Sequence, residues 1–118
     1  VECPFCKTQN ELAGIKHDKE KTRMDLIPPE SIRAIASILT FGAKKYGERN
    51  WEKGIAWGRI YAGVMRHMLS FWEGEDIDIE SGMPHLWHAQ TGISFLTTYH
   101  ARKVGEDDRP KKTEAKNG

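Results

Sequence analysis

The sequence has no apolar run that approaches the roughly 18 residues needed for a membrane-spanning helix. It also lacks an excess of either charge, because 18 Lys and Arg residues balance 17 Asp and Glu residues. A protein that binds duplex DNA without sequence preference normally carries a marked basic excess, so nucleic acid is not an expected partner. No charged start leads into an apolar segment of the signal-peptide type. These absences predict a cytoplasmic protein that has no membrane partner.

Cysteine is scarce, and both copies, Cys3 and Cys6, lie in one CPFC motif. Two thiolates at this spacing can bind one zinc ion, but a complete zinc site needs four ligands. No second cysteine pair follows, and His17 is the only imidazole nearby. The other ligands would have to come from another chain or from residues upstream. We therefore favour a reduced cysteine pair in an exposed tail, with zinc at Cys3 and Cys6 as the alternative.

The chain divides into a central apolar region and two polar ends. Residues 1–23 and 104–118 are charged and lack sustained periodicity, which is typical of flexible or disordered tails. Residues 24–103 contain all four tryptophans, so we expect the folded domain there. Within this region, apolar residues recur at steps of three and four, which predicts helices. The predicted helices span residues 29–46, 58–73 and 84–103.

These patterns predict an all-α domain, a compact bundle of three main helices. The apolar residues at helical spacing are expected to be buried; they are Ile32, Ile35, Leu39, Ala43, Tyr46, Ile60, Val64, Met68, Phe71, Leu86, Ala89, Ile93 and Leu96. Further aromatic residues lie outside these stripes and exceed what a small three-helix monomer leaves in water; they are Trp72, Trp87, Phe95 and Tyr99. We therefore expect a homo-oligomer, in the first instance a dimer that completes a four-helix core.

An acidic stretch precedes the third predicted helix, with five carboxylates within residues 73–80. Grouped carboxylates repel one another unless a cation neutralises them, so the stretch favours a hard divalent ion such as Mg²⁺ or Mn²⁺. An EF-hand is excluded: counted from Asp76, the glycine falls at position seven and Trp87 occupies position twelve, where a bidentate Glu is required. Taken alone, the stretch would be a solvated connection between helices.

Two histidines follow the acidic stretch at a spacing that places them on one helical face. His85 and His88 are three residues apart, so both could bind one metal ion or one phosphate oxygen. His67 on the second helix could face them. The alternative is that the histidines only form hydrogen bonds to the acidic stretch at residues 73–80. Because carboxylates adjoin them, we favour a metal or phosphate site in which Asp76, Asp78, His85 and His88 converge.

The loop after the first helix has complementary chemistry. Lys45 and Arg49 can neutralise phosphates, Asn50 can bind a base or sugar edge, and Trp51 can stack on a ring. These residues resemble half of a nucleotide pocket. A surface loop anchored by a buried tryptophan explains the same residues equally well.

Several motifs in one order resemble the N-terminal domain family of dATP/dGTP diphosphohydrolases, which is widespread in phages and bacteria. The motifs are DLIPPE at 25–30, GAKKYGERNW at 42–51, Arg66-His67, GED at 74–76, ESG at 80–82, His85 and His88. The resemblance covers residues 23–99. It implies a relation to MazG-like pyrophosphohydrolases, all-α oligomers that use Mg²⁺ or Mn²⁺ to split a nucleoside triphosphate into monophosphate and pyrophosphate. It also implies a bacterial or phage-infected host cell.

For an enzyme of this kind, the chemistry of the residues present suggests individual roles. Catalytic roles fall to Glu75 and Asp76; metal binding falls to Asp76, Asp78, His85 and His88; and substrate binding falls to Lys45, Arg49, Asn50, Trp51, Arg66 and His67. The chain departs from the pattern usual in such enzymes, an E-x-x-E pair on one helix and an E-x-x-D pair on the next. Here the nearest E-x-x-D pair runs from Glu73 to Asp76 at a helix end, and histidines occupy the next helix.

Two interpretations follow from this departure. In the first, a variant metal set hydrolyses purine nucleoside triphosphates. In the second, the chain is a non-catalytic accessory or nucleotide-binding module of the phage type. A DNA-binding helical domain is less favoured, because the third helix carries only Arg102 and Lys103 as basic residues of a recognition helix.

Overall fold

The computed structural model describes residues 13–111, so the predictions for Cys3 and Cys6 lie outside the described residues. Helix α1 spans Pro29–Tyr46, α2 spans Trp57–Trp72 and α3 spans His85–Arg102. Two 3₁₀ turns, Met24–Leu26 and Asn50–Lys53, flank α1. Across residues 13–111 the only β-type pairing is a single antiparallel bridge between Ile77 and Pro84. The prediction of an all-α fold with three main helices is therefore confirmed.

Proline and glycine set the ends of α1. Pro29 opens the helix, where its missing N–H would have no partner in any case. Gly47 ends it with a φ of 99°, and its N–H donates to the carbonyl of Ala43 at 2.9 Å. A residue with a side chain would be strained at that φ. The local sequence therefore determines both ends of α1.

Helix α3 lies between the other two helices and makes its most extensive contacts with α2. Gly92 permits this close approach, because a Cβ atom built there would lie 2.5 Å from Cγ2 of Val64. On the other side, the Gln90 amide donates to the Ser31 carbonyl at the start of α1. Apart from Tyr99, the apolar core consists of small and medium residues; it comprises Ala34, Ile38, Val64, Ala89 and Tyr99.

The structure corrects part of the predicted core. Val64 and Ala89 are buried as expected, but Ile32, Tyr46, Met68, Leu86 and Ile93 are exposed. The reason is that each helix carries more apolar residues than one contact face can cover. On α3 the buried face includes His85, Ala89 and Tyr99. Leu86 and Ile93 are therefore left at the surface.

The packed part of the chain extends past the tail boundary that the sequence predicts at residue 103. The Trp57 indole N–H donates to the Val104 carbonyl at 2.9 Å, and the Trp57 backbone N–H donates to the Glu106 carbonyl at 2.9 Å. The Asp108 carboxylate accepts from the Gly58 backbone N–H at 2.7 Å. Residues 104–108 thus satisfy donors at the start of α2 that no helical carbonyl can reach. None of the described helices is both long and apolar enough to cross a membrane.

Candidate functional site

The connection between α2 and α3 folds back on itself and places acidic residues beside the start of α3. The Asp78 N–H donates to the Met83 carbonyl at 2.9 Å, and the Gly82 N–H donates to the Asp78 carbonyl at 2.8 Å. The Asp76 carbonyl accepts from the His85 N–H at 2.9 Å. These backbone bonds fix the connection, so its side chains hold defined positions relative to α3.

His85 forms the centre of a polar cluster between α2 and α3, which we call the histidine site. The cluster comprises His67, Glu75, Asp78, Ser81, His85 and His88. The His85 side chain is buried, with 4% of the residue exposed. Its Nδ1 lies 2.9 Å from Nδ1 of His67, and its Nε2 lies 2.7 Å from Oε1 of Glu75. Both ring nitrogens of a buried imidazole are therefore in contact with polar partners.

His88 lies on the other side of His67. The two rings are stacked, with centroids 4.5 Å apart and planes inclined by 8°. Nε2 of His88 is 2.6 Å from the Ser81 hydroxyl and 3.7 Å from Oδ2 of Asp78. Asp78 in turn accepts from the Ser81 backbone N–H at 2.9 Å. The acidic stretch and helices α2 and α3 thus meet around His67.

Three side chains of the histidine site could share one metal ion. His67, Asp78 and His85 each offer one ligand atom, and these atoms all lie within 4.8 Å of one another. Because imidazole nitrogens and carboxylate oxygens are common ligands of divalent metals, this donor set suits such an ion.

Burial and hydrogen bonding set the charge states in the site. Burial lowers the pKa of both His67 and His88 below the usual histidine value, and neighbouring imidazoles lower it further. Burial alone would raise the pKa of Asp78, but the hydrogen bonds from Ser81 and the nearby imidazoles outweigh it, so the pKa of Asp78 is lowered. The lowered pKa values favour the neutral imidazole of His67 and the ionised carboxylate of Asp78, the forms in which these two side chains can bind a metal ion.

The structure brings together some of the residues that the sequence predicts to be ligands, and separates others. Asp78, His85 and His88 all lie in the histidine site. Asp76 approaches it through its backbone carbonyl, while its residue is exposed. Glu75 contacts His85. His67, predicted to contact substrate, lies 2.9 Å from His85 and belongs to the candidate metal group.

Two predicted phosphate-binding residues are engaged in ion pairs. Lys45 pairs with Glu80 of the acidic stretch, which links the end of α1 to the connection that carries Asp78 and Ser81. Arg49 pairs with Glu52 at 2.8 Å, and Arg102 of α3 pairs with the other oxygen of Glu52 at 2.8 Å. Hydrogen bonds from Arg102 and Arg49 lower the pKa of Glu52. Arg66, the third residue predicted to bind phosphate, is exposed on α2 directly before His67.

The predicted base-binding residues lie in the 3₁₀ turn Asn50–Lys53. The Trp51 ring stacks on Phe95 of α3 with centroids 4.3 Å apart, and its carbonyl accepts from the Tyr99 hydroxyl at 2.6 Å. Trp51 therefore anchors the loop to α3. Asn50 is half-buried at the start of the turn, with its N–H directed to the Gly47 carbonyl at 3.2 Å.

Two residues that contact His88, Ser81 and Phe41, were not predicted to belong to the site. The Ser81 hydroxyl contacts His88, and the Phe41 ring meets His88 edge-on with centroids 6.5 Å apart. A serine three residues after Asp78 is a turn signal, which was available in the sequence. Phe41 carries no such signal, because its contact depends on how α1 packs against α3.

Comparison with known proteins agrees with the motifs. The profile of the family described as dATP/dGTP diphosphohydrolase, N-terminal, matches residues 11–109. A protein of Salmonella phage PMBT28 named dATP/dGTP diphosphohydrolase is 35% identical over 98 residues, which are 83% of this chain and 33% of that relative. This chain thus spans about a third of the relative's length. No solved structure gives a significant match. The chain belongs to the family of dATP/dGTP diphosphohydrolase N-terminal domains.

Proposed function

We propose that this protein acts in the hydrolysis of purine deoxynucleoside triphosphates and that a divalent cation at the histidine site binds their phosphates. The observation that carries the proposal is the convergence of His67, Asp78 and His85 in a chain of this family. The relative from Salmonella phage PMBT28 bears the name of this reaction. The reaction adds water across the α–β phosphoanhydride bond and releases nucleoside monophosphate and pyrophosphate.

The residues of the histidine site fit a cation-binding role. His67, Asp78 and His85 would hold the ion, since their ligand atoms already lie within 4.8 Å of one another. A bound divalent cation supplies charge neutralisation for the triphosphate and lowers the pKa of a water molecule. Arg66, exposed beside His67, and Lys45, held beside the site by Glu80, would contact phosphate oxygens. The protein's main contribution is then to position the triphosphate.

The base would lie towards the Trp51 end of α3. Seven residues separate His88 from Phe95, on which Trp51 stacks, and this corresponds to about 10 Å along a helix. In this arrangement Asn50 and Trp51 would contact the base, while the phosphates lie at the histidine site. Replacement of Trp51 by Ala is expected to raise KM for the nucleotide more than it lowers kcat.

The test incubates the full chain with each dNTP and Mn²⁺ and separates mono-, di- and triphosphates by ion exchange. We expect dATP and dGTP to yield monophosphate and pyrophosphate. Asp78→Asn should reduce the rate at least 100-fold, because it removes the anionic ligand. His100→Ala is the control, since His100 lies on α3 like His85 and His88 but is exposed at the far end of that helix. Equal rates in Asp78→Asn and the wild type would contradict the proposal.

A second candidate function is nucleotide binding without hydrolysis. It is favoured by the share of the phage relative that the chain spans, 33%, because the reacting groups could lie in the remaining part. Calorimetry with dGTP and a divalent ion distinguishes the two functions. Tight binding without product formation would favour the binding module.

A further inference from the structure

We infer that the histidine site selects a divalent transition-metal ion over Mg²⁺ and that Glu75 is the residue that positions His85 for this ion. The inference deepens the proposed function and rests on its cation site. The sequence leaves Mg²⁺ and Mn²⁺ open; the inference disfavours Mg²⁺ and favours ions that accept nitrogen ligands, such as Zn²⁺ and Co²⁺.

The donor atoms of the histidine site favour a transition-metal ion over Mg²⁺. Two of the three candidate ligands, His67 and His85, are imidazoles, and only Asp78 offers oxygen. Mg²⁺ prefers oxygen ligands and retains several water molecules, whereas imidazole suits Zn²⁺ and the later first-row ions. A set with two nitrogen donors therefore disfavours Mg²⁺ relative to a transition metal.

The distance between the two imidazoles can be compared with that between two ligands of one ion. Nδ1 of His67 and Nδ1 of His85 are 2.9 Å apart. Two nitrogen ligands that each lie about 2.1 Å from one tetrahedral ion are about 3.4 Å apart. The two imidazole nitrogens are thus within about 0.5 Å of the separation that a single tetrahedral ion requires. Without an ion, one of these nitrogens must carry a proton that the other accepts.

Glu75 sets the orientation and tautomer of His85. Oε1 of Glu75 lies 2.7 Å from Nε2 of His85, and an ionised carboxylate can only accept, so Nε2 carries the proton. The lone pair of the neutral imidazole is then on Nδ1, the atom that faces His67. This carboxylate–histidine arrangement is the one that supports metal-ligating histidines. Glu75 contacts the ligand and not the ion, so it is a positioning residue.

Three protein ligands leave coordination positions for water or phosphate, as in catalytic zinc sites. His88 is held apart from this group, because its Nε2 is 2.6 Å from the Ser81 hydroxyl. The site can therefore hold an ion and still accept an oxygen of the substrate.

The first experiment measures binding of Zn²⁺, Co²⁺ and Mg²⁺ to the full chain by calorimetry. Cys3 and Cys6 are replaced by serine, so that thiolate binding does not contribute. We expect one Zn²⁺ or Co²⁺ per chain, bound at least 100-fold more tightly than Mg²⁺. Equal affinity for Mg²⁺, or no binding of Zn²⁺ and Co²⁺, would overturn the inference.

The second experiment compares variants in the same background. His67→Ala and Asp78→Asn should weaken Zn²⁺ binding at least 100-fold, and Glu75→Ala should weaken it about 10- to 100-fold. Glu75→Gln, which keeps an acceptor for Nε2, should restore most of the affinity. His100→Ala should bind as the parent does. Unchanged affinity in Asp78→Asn, or equal affinities in the Ala and Gln variants of Glu75, would overturn the inference.

The visible spectrum of bound Co²⁺ reports the ligand geometry independently of affinity. Glu75→Ala should shift this spectrum and Glu75→Gln should not, whereas a purely structural loss would lower the bound fraction and leave the band shape unchanged. Circular dichroism checks that each variant is folded. If Glu75→Ala does not fold, Asp78→Asn and the Glu75→Gln spectrum decide the question.

Hydrolysis assays separate the two proposals. A chain that binds Zn²⁺ through His67, Asp78 and His85 but hydrolyses no dNTP supports the inference and contradicts the enzymatic proposal. A chain that hydrolyses dGTP with Mg²⁺ and binds no Zn²⁺ supports the enzymatic proposal and overturns the inference.

Discussion

His85 and His88 illustrate what a spacing rule can predict at the scale of single residues. Their three-residue interval predicts a shared face of one helix, and both rings contact His67. The interval does not specify which ring nitrogen meets which partner. Nor could the sequence show that Asp76 offers a backbone carbonyl to His85, because the direction of a side chain in a turn depends on the local dihedral angles. The residue types of the site were therefore predictable and their individual partners were not.

The lowered pKa values of His67 and His88 predict how stability depends on pH in the metal-free protein. Burial is the main cause in both cases. The unfolded chain binds protons near the ordinary value of 6.5, whereas the folded chain resists protonation until a lower pH. The contribution of these two imidazoles to the free energy of unfolding should thus be complete above about pH 6.5. It should decrease as the pH falls through the lower pKa values of the folded state.

Urea denaturation in EDTA between pH 8 and pH 5 measures this dependence. His67→Gln should flatten the decline, because it removes one of the groups that protonate on unfolding. His100→Ala should preserve the decline of the parent protein. An equally steep decline in His67→Gln would contradict the assignment.

At the scale of elements, local signals and packing differ in what they determine. Proline and glycine predict the ends of α1, and the other two helices start and stop within one residue of the predicted bounds. The buried faces were harder to predict, because periodicity shows that a helix is amphipathic but not which neighbour covers it. Ala89 and Gly92 let α2 approach α3 closely, and the larger Leu86 and Ile93 are displaced to the surface.

Gly92→Ala is expected to destabilise the protein by about 1–2 kcal/mol. The new Cβ would lie 2.5 Å from Cγ2 of Val64, so the α2–α3 contact must shift. Gly63→Ala is the matched control within α2, since the only atom near its Cβ would be a terminal nitrogen of Arg66 at 3.7 Å. That change should stabilise the protein by about 0.5–1 kcal/mol, because alanine favours the helix.

Chemical denaturation of both variants measures these changes in the free energy of unfolding. Pairing Gly92→Ala with Val64→Ala should recover part of the loss, since the smaller side chain makes room for the Cβ. A stabilising effect of Gly92→Ala similar to that of Gly63→Ala would show that the two helices do not pack as closely as described.

At the scale of the whole molecule, a small core coexists with a large exposed apolar face. Within residues 13–111, two of the five buried apolar residues are alanines. Meanwhile α2 exposes a stripe at helical spacing, which we call the α2 stripe; it comprises Tyr61, Met65, Met68, Leu69 and Trp72. Trp72 alone is 83% exposed. Soluble monomers rarely leave such a contiguous apolar surface in water. The predicted surplus of aromatic residues is wrong in three of four positions, because the packing of α3 buries Tyr99 and half-buries Trp87 and Phe95 and leaves only Trp72 exposed.

We propose that a second copy of this chain covers the α2 stripe. A standard stable interface buries about 800 Å² per partner, and the exposed side chains of the α2 stripe would form the apolar centre of such an interface. It follows one helix for the twelve residues from Tyr61 to Trp72, so two copies can pack it antiparallel around a two-fold axis, each stripe against the other. The relative's remaining length offers another covering segment, and that alternative predicts a monomer for this chain.

Light scattering after size-exclusion chromatography measures the mass of the particle in solution. The wild-type chain should elute with twice the mass of one chain, and Leu69→Glu should elute as a monomer, because a buried unpaired carboxylate at the centre of the interface is costly. Arg59→Glu also introduces a carboxylate on α2, but on an exposed polar face, and it should remain dimeric. Since Leu69 is already exposed in one chain, its replacement should leave the helix content unchanged. A wild-type chain of single mass at high concentration would assign the α2 stripe to a different partner.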